Sequence, residues 1–192
     1  MDYDILIIGA GPAGSSLACK LRSLGLTVLL IDKKAAIGKH ACSGLFSKRI
    51  TKYFDINSSM IENTIKGATF HTRNTSFEIK KEKAEALVID RPRFDRFVLK
   101  KATDSGAHTL LNSHIISCRS TKESIRTHIM TPKGPQEITT KLIIGADGAA
   151  STLRRTLNLK GNLNYVNGIL SYYPIKNTSE LVELYYSPDT AP

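Results

Sequence analysis

The spacing of apolar residues along this 192-residue chain switches between two periods, and the switches outline its elements. Residues 4–8 (Asp-Ile-Leu-Ile-Ile) form a short apolar run ended by Gly9, the pattern of a strand covered on both faces in a parallel sheet. Ala13, Leu17, Ala18, Leu21 and Leu24 then recur at helical spacing until Gly25 stops them. Residues 27–31 give a second buried strand ending at Asp32, so a complete βαβ unit fits in about thirty residues. Phe46, Ile50, Tyr53 and Phe54 share one helical face, predicting a helix that starts near Ser43. Short strands are predicted at 68–72, 76–80 and 86–89, and Pro92 opens a helix with Phe94, Phe97, Val98 and Ala102 on one face.

Residues 108–146 read as a run of strands, broken by the turn Pro132-Lys133-Gly134-Pro135. Leu142-Ile143-Ile144 is again the pattern of a buried strand, and a short helix follows at about 150–157. Residues 163–186 return to Tyr-rich alternation. The strand predicted at 181–186 has no evident partner in the chain, so the sequence is expected to be part of a larger fold, as a fragment, a split subunit or a truncated relative.

Composition narrows the class. With 41% hydrophobic and 23% charged residues this is an ordinary globular chain. No apolar run reaches the roughly 20 residues of a membrane span. The start, Met1-Asp2-Tyr3-Asp4, lacks the basic and apolar regions of a signal peptide, so the expected location is cytoplasmic, with peripheral membrane contact as an option. Cys19, Cys42 and Cys118 are odd in number and form no Cys-x-x-Cys, which argues against a disulfide framework or zinc site. Cys19 and Cys118 are expected to be buried small apolar residues. A net charge of +10 suits an acidic partner. The cations are scattered and no nucleic-acid motif accompanies them, so nucleic acid is not expected as a partner.

The first chemical motif is Gly9-Ala10-Gly11-Pro12-Ala13-Gly14, between the first strand and first helix. Gly9 permits the turn, Gly11 lets a pyrophosphate approach the backbone, and Gly14 lets helix and sheet pack closely. Pro12 opens the helix where its missing N–H costs little, and the helix N-terminus favours anionic phosphate. Asp32, followed by Lys33, stands at the end of the next strand, where a carboxylate can accept ribose hydroxyls. Together these point to a dinucleotide, against the plainer reading of a glycine turn.

The second motif distinguishes FAD from NAD. The run from Leu142 to Arg154 reads strand, Ala146-Asp147-Gly148, then Ser151-x-x-Arg154, and resembles the Asp-Gly motif of flavoprotein hydroxylases and their relatives. That resemblance implies that Asp147 and Gly148 lie along the pyrophosphate and ribose of FAD. The alternative is a strand-to-helix turn in which Asp147 caps the helix.

Two further segments resemble the geranylgeranyl reductase family. His40-Ala41-Cys42-Ser43-Gly44-Leu45 falls where that family has a Cys- and Gly-bearing turn, implying that Cys42, Ser43 and Gly44 lie near the flavin ring. Cys42 and Gly44 are closer together than in the family's longer form, and a buried structural thiol is the alternative. In Val88-Ile89-Asp90-Arg91-Pro92, the resemblance makes Arg91 a cofactor contact, a role suited to a guanidinium; a surface arginine is the alternative. By the same resemblance, Ile115 offers backbone to the adenine. His40, His71, His108, His114 and His128 form no ligand spacing, and neither a metal site nor a catalytic residue is assigned.

The fold expected is α/β, an FAD-binding Rossmann-type domain of the glutathione-reductase or hydroxylase kind with an incomplete antiparallel β substrate region. The FAD-binding part is expected over residues 1–160, with a β insertion at about 66–90, and the substrate region begins at 161–192. The resemblance implies an FAD-dependent oxidoreductase that saturates C=C bonds of isoprenoid lipids. Reduced flavin gives hydride to one alkene carbon while a proton reaches the other. A ferredoxin or NAD(P)H would supply electrons, and an anionic membrane is a further partner. Two alternatives stand beside it: an aromatic-hydroxylase-type monooxygenase, and an FAD-binding half-protein inactive without a C-terminal partner.

Overall fold

The computed structural model describes residues 1–38, 42–161, 164–174 and 179–187. In chain order the elements are β1 (Tyr3–Ile8), α1 (Pro12–Ser23), β2 (Val28–Ile31), β3 (Leu45–Ser47), β4 (Ile61–Ile65), β5 (Gly67–His71), β6 (Ser76–Lys80) and β7 (Ala86–Ile89). They continue with α2 (Arg91–Asp104), β8 (His108–Leu110), β9 (His114–Ser120), β10 (Ile125–Thr131), β11 (Gly134–Gly145), α3 (Thr152–Thr156) and β12 (Leu181–Tyr185). The chain divides into two compact units, one of residues 1–39 and 92–166, the other of residues 40–91 and 167–192.

The first unit is built on a six-stranded sheet of order β8-β2-β1-β11-β10-β9. β1 lies parallel to β2 and β11, with Ile7 opposite Leu30 on one side and Ile144 on the other. Because side chains alternate along a strand, β1 feeds two cores. Ile5 and Ile7 pack with Ala18 of α1 and Ala102 of α2, whereas Leu6 and Ile8 pack with Ile115, Ile129 and Leu153. One face of the parallel strands is thus covered by helices, and the other packs against side chains from β9 and β10 of the β9–β10–β11 meander and from α3, which is why residues 5–8 are continuously apolar. Truncating a residue such as Leu6, fully buried, costs about 2–5 kcal/mol. The meander turns at Pro132-Lys133, joining Thr131 to Gly134 as sequence predicts.

β11 serves two ladders, its first half antiparallel to β10 and its second parallel to β1. α1 packs mainly over β1 and β2 rather than over β11. Leu142 is therefore 48% exposed rather than buried, although the strand expected there is present. Cys19 and Cys118 are half-buried, each at the margin of a core.

The second unit holds two three-stranded sheets, β3-β7-β4 and β12-β5-β6. It corrects three expectations. The predicted helix from Ser43 is instead β3 followed by a 3-10 turn, Lys48–Lys52, capped by the Ser47 hydroxyl accepting from Arg49 N–H. Residues 45–47 pair with β7, a long-range ladder that outweighs local helical periodicity, and Tyr53 ends up 79% exposed. Among the described residues the tail forms a strand only at β12; residues 164–174 carry no regular structure, with Val166 and Ile169 almost wholly exposed. The strand near 181–186 does have a partner in the chain: β12 runs parallel to β5, Leu181 opposite Gly67 and Tyr185 opposite His71. Among the described residues no helix is long and apolar enough to cross a membrane.

Candidate cofactor site

The site begins where β1 hands over to α1. Gly9 N–H donates to Ile31 O at 2.7 Å, stitching the loop to the end of β2. The Ala10 peptide is then fixed on both sides. Its N–H donates to Asp32 Oδ2 at 2.8 Å, and its carbonyl accepts from the buried Ser15 hydroxyl at 3.0 Å. Ser15 was not singled out in the sequence; its signal is a polar residue on the inward face of a helix, directly behind the glycine loop. Gly14 has no room for a side chain, because a Cβ there would stand 1.9 Å from Gly9 O.

Gly11 is the opposite case. A Cβ at Gly11 would meet no atom within 4 Å, and its backbone, at φ −68 and ψ −179, is open to any residue. The N-terminus of α1 has no side-chain cap and no acidic residue in its first turn, and Pro12 provides no N–H. An uncapped helix N-terminus, its dipole uncompensated, beside open space at a glycine is what a pyrophosphate requires. Ala13 is exposed at this end. These residues fit the diphosphate of FAD.

Asp32 is half-buried and holds two backbone groups, Ala10 N–H on Oδ2 and Lys34 N–H on Oδ1 at 2.9 Å. A carboxylate has about four acceptor positions, so two remain for ribose hydroxyls. Lys33 is exposed next to it. The end of β2 is braced from the end of β8 and the segment after it: Asp32 N–H donates to Leu110 O, Ser113 N–H to Asp32 O at 2.8 Å, and Asn112 N–H to Lys34 O. Ile115, by contrast, directs its side chain into the core, almost fully buried, and pairs across the ladder with Ile129. In this structure the residues meeting the end of β2 are Asn112 and Ser113.

At the end of β11, Ala146 N–H donates to Ile8 O at 2.7 Å, so the Asp-Gly turn starts beside the glycine loop. The Asp147 carboxylate accepts Thr152 N–H at 2.6 Å and Leu153 N–H at 3.1 Å on the same oxygen, and so caps α3. The Ser151 hydroxyl caps the same helix through Arg154 N–H at 3.0 Å. Gly148 is an exposed turn residue. Next to them lies a cleft of about 310 Å³ lined by Ala149, Ser151, Arg154, Asn158 and Tyr165 among others. Arg154 spans it, donating to Leu159 O, Tyr165 Oη and Gly161 O.

The remaining candidates lie in the second unit. Gly44 has φ +75, and a Cβ there would lie 2.4 Å from Ile89 O, so the turn before β3 needs glycine for packing alone. Gly44 N–H donates to the half-buried Cys42 thiol at 3.5 Å, and the exposed Ser43 hydroxyl accepts Leu45 N–H. Arg91 lies over the ring of Phe46, its Cζ 5.4 Å from the centroid, as a cation–π pair. Of the motif around Cys42, His40 and Ala41 lie outside the described residues. No group of metal-ligating residues occurs among the described residues.

Comparison with known proteins agrees with this geometry. The digeranylgeranylglycerophospholipid reductase of Methanococcus vannielii is 31% identical over 166 residues, covering 85% of this chain and 42% of that protein. The crystal structure of a geranylgeranyl bacteriochlorophyll reductase-like protein from Thermoplasma acidophilum superposes with a TM-score of 0.83 at 25% identity, over 97% of this chain and 50% of the other. A halogenase crystallised in complex with FAD matches with a TM-score of 0.63 at 26% identity, over 82% of this chain and 36% of its own. The chain therefore spans about two fifths of the curated relative and half of the most extensive of these structural matches. A family model described as an FAD binding domain matches residues 2–183. With its glycine loop, Asp32 clamp and Asp-Gly turn in place, this chain belongs to the FAD-binding domain family.

Proposed function

We propose that this chain is an FAD-dependent reductase that saturates C=C bonds in isoprenoid chains of membrane lipids or their precursors. The observation that carries the reading is the open, uncapped N-terminus of α1 at Gly11, with Asp32 fixed beside it. The similarity to a digeranylgeranylglycerophospholipid reductase supports the choice of substrate class. The first turn of α1 would hold the diphosphate, and the free acceptor positions of Asp32 would orient the ribose. Ser15 keeps the Ala10 peptide from rotating, so the loop is set before the cofactor arrives. Bound FAD, once reduced by a ferredoxin or NAD(P)H, would supply hydride to one carbon of an unactivated alkene while a proton reaches the other.

The test is reconstitution with FAD, anaerobic chemical reduction, and addition of an unsaturated isoprenoid glycerophospholipid. Reoxidation of the flavin, with two hydrogens gained per reduced bond by mass spectrometry, is the expected result. Oxygen-dependent NADPH consumption stimulated by a phenol, without lipid reduction, would instead make the protein a hydroxylase. FAD binding with no turnover until a C-terminal polypeptide is added would make it a half-protein.

A further inference from the structure

We propose that the outer face of the β9–β10–β11 meander docks this chain on an anionic lipid bilayer. Charge is distributed very unevenly. Residues 1–39 and 92–166 carry 17 Lys or Arg against 8 Asp or Glu, a net +9 of the chain's +10. The meander belongs to this unit, and among the unit's described residues its inner face is the one packed into the core. Ile115, Thr127 and Ile129 are buried under it, whereas the alternate residues point outward and are exposed.

On that outward face Arg119 and Arg126 stand directly opposite one another across the β9–β10 ladder. Both are exposed, and neither has a hydrogen-bond or ion-pair partner among the described residues. Like charges opposed on a sheet are destabilising unless an anion lies between them. The nearby carboxylate on this face, Glu137, is already 3.4 Å from His128 Nε2. A register shift in the β9–β10 ladder falls beside Ile116, which is 48% exposed, while Met130, opposite His114, is 37% exposed. Bulges re-aim side chains, and here an aliphatic residue ends up solvent-exposed on the strand that carries Arg119. Unpaired arginines for phosphate and short apolar side chains for the headgroup boundary are the chemistry of a membrane-surface contact. Exposed Ile116 and Met130 beside these arginines favour a bilayer, whose headgroup boundary takes apolar side chains next to its phosphates, over a purely acidic surface. The inference rests on the lipid-reductase reading only for why a bilayer would be near.

The experiment is co-sedimentation of the 192-residue chain with vesicles of phosphatidylglycerol and phosphatidylcholine (3:7) or phosphatidylcholine alone, at low and high salt. Binding is expected only to the anionic vesicles, and about 1 M salt should abolish it by screening. R119Q/R126Q should weaken partitioning about 25-fold, about fivefold for each arginine. K52Q/K83Q, which removes the same charge from exposed lysines of the other unit, should change it little. Equal loss in the two double variants would overturn the assignment to this face. Failure to bind anionic vesicles, including retention by polyglutamate without vesicle binding, would overturn the bilayer as partner. FAD titration of the same samples separates the two readings: loss of vesicle binding with FAD retained bears only on the surface, and loss of FAD binding only on the cofactor site.

Discussion

The backbone N–H of Ala10 donates to the carboxylate of Asp32 at 2.8 Å, across twenty-two residues of sequence. Through this one bond the glycine loop proposed to meet the diphosphate is aligned by the carboxylate proposed to meet the ribose. Asp32 therefore has a structural duty before any ligand binds, and replacing it should be felt in two measurements. Asp32→Ala should lower folding stability by about 1–3 kcal/mol, because Ala10 and Lys34 N–H both lose an acceptor. FAD affinity should fall about tenfold or more. Chemical denaturation without cofactor and FAD titration separate the two effects, and unchanged stability would show that the clamp is not needed.

Asp147 allows a similar division of roles. One carboxylate oxygen caps α3 through Thr152 and Leu153 N–H, and Leu153 is a buried member of the core under the sheet. Asp147→Ala should therefore cost about 1 kcal/mol in urea unfolding even without FAD. A variant as stable as the parent would mean that Ser151 alone caps the helix.

The βαβ unit and Asp-Gly turn were legible because their signals are local. The apolar run of β1, the helical spacing of α1 and the glycines between them are each read within a few residues, and the first two are enforced by core packing on both faces of the sheet. What was not legible depends on distant partners. Phe46, Ile50, Tyr53 and Phe54 have helical spacing, yet residues 45–47 are pulled into a ladder with β7 some forty residues on. β12 looked partnerless because its neighbour, β5, lies more than a hundred residues earlier and runs parallel. At the site, Asp32 and the glycines could be picked by type and spacing. Asn112 and Ser113 could not, because they act through backbone contacts that no residue pattern encodes, whereas Ser15 acts through its hydroxyl and shows only as a polar residue on the inward face of α1.

Asp4 ties the start of β1 to two other segments. It accepts from Lys141 Nζ at 2.6 Å and from Thr27 N–H and hydroxyl at 2.8 Å, and these partners hold its carboxyl well below the usual carboxylate range. A depressed folded-state value means the contribution is fully present above the ordinary Asp value of about 4 and is lost as pH falls below it. Thermal midpoints of the parent chain should thus decline more steeply than those of Asp4→Asn as pH is lowered from about 5 to 2. The two should differ by a constant amount above about pH 6. Parallel curves throughout would contradict the assignment.

In the proposed function FAD binds with its diphosphate against Gly11 at the start of α1, and Gly11→Ala paired with FAD titration is the sharpest check on that placement. The added methyl group meets no protein atom within 4 Å and requires no backbone change, so the thermal midpoint without cofactor should stay within about 0.5 kcal/mol equivalent of the parent. Gly14→Ala, with its 1.9 Å clash, should instead unfold markedly earlier. The parent chain should take up FAD and show its visible absorption bands, while Gly11→Ala should stay folded and bind at least about a hundredfold more weakly, a loss of about 2.7 kcal/mol. A parent chain that takes up no FAD, or a Gly11→Ala variant that binds it as tightly as the parent, would contradict the account.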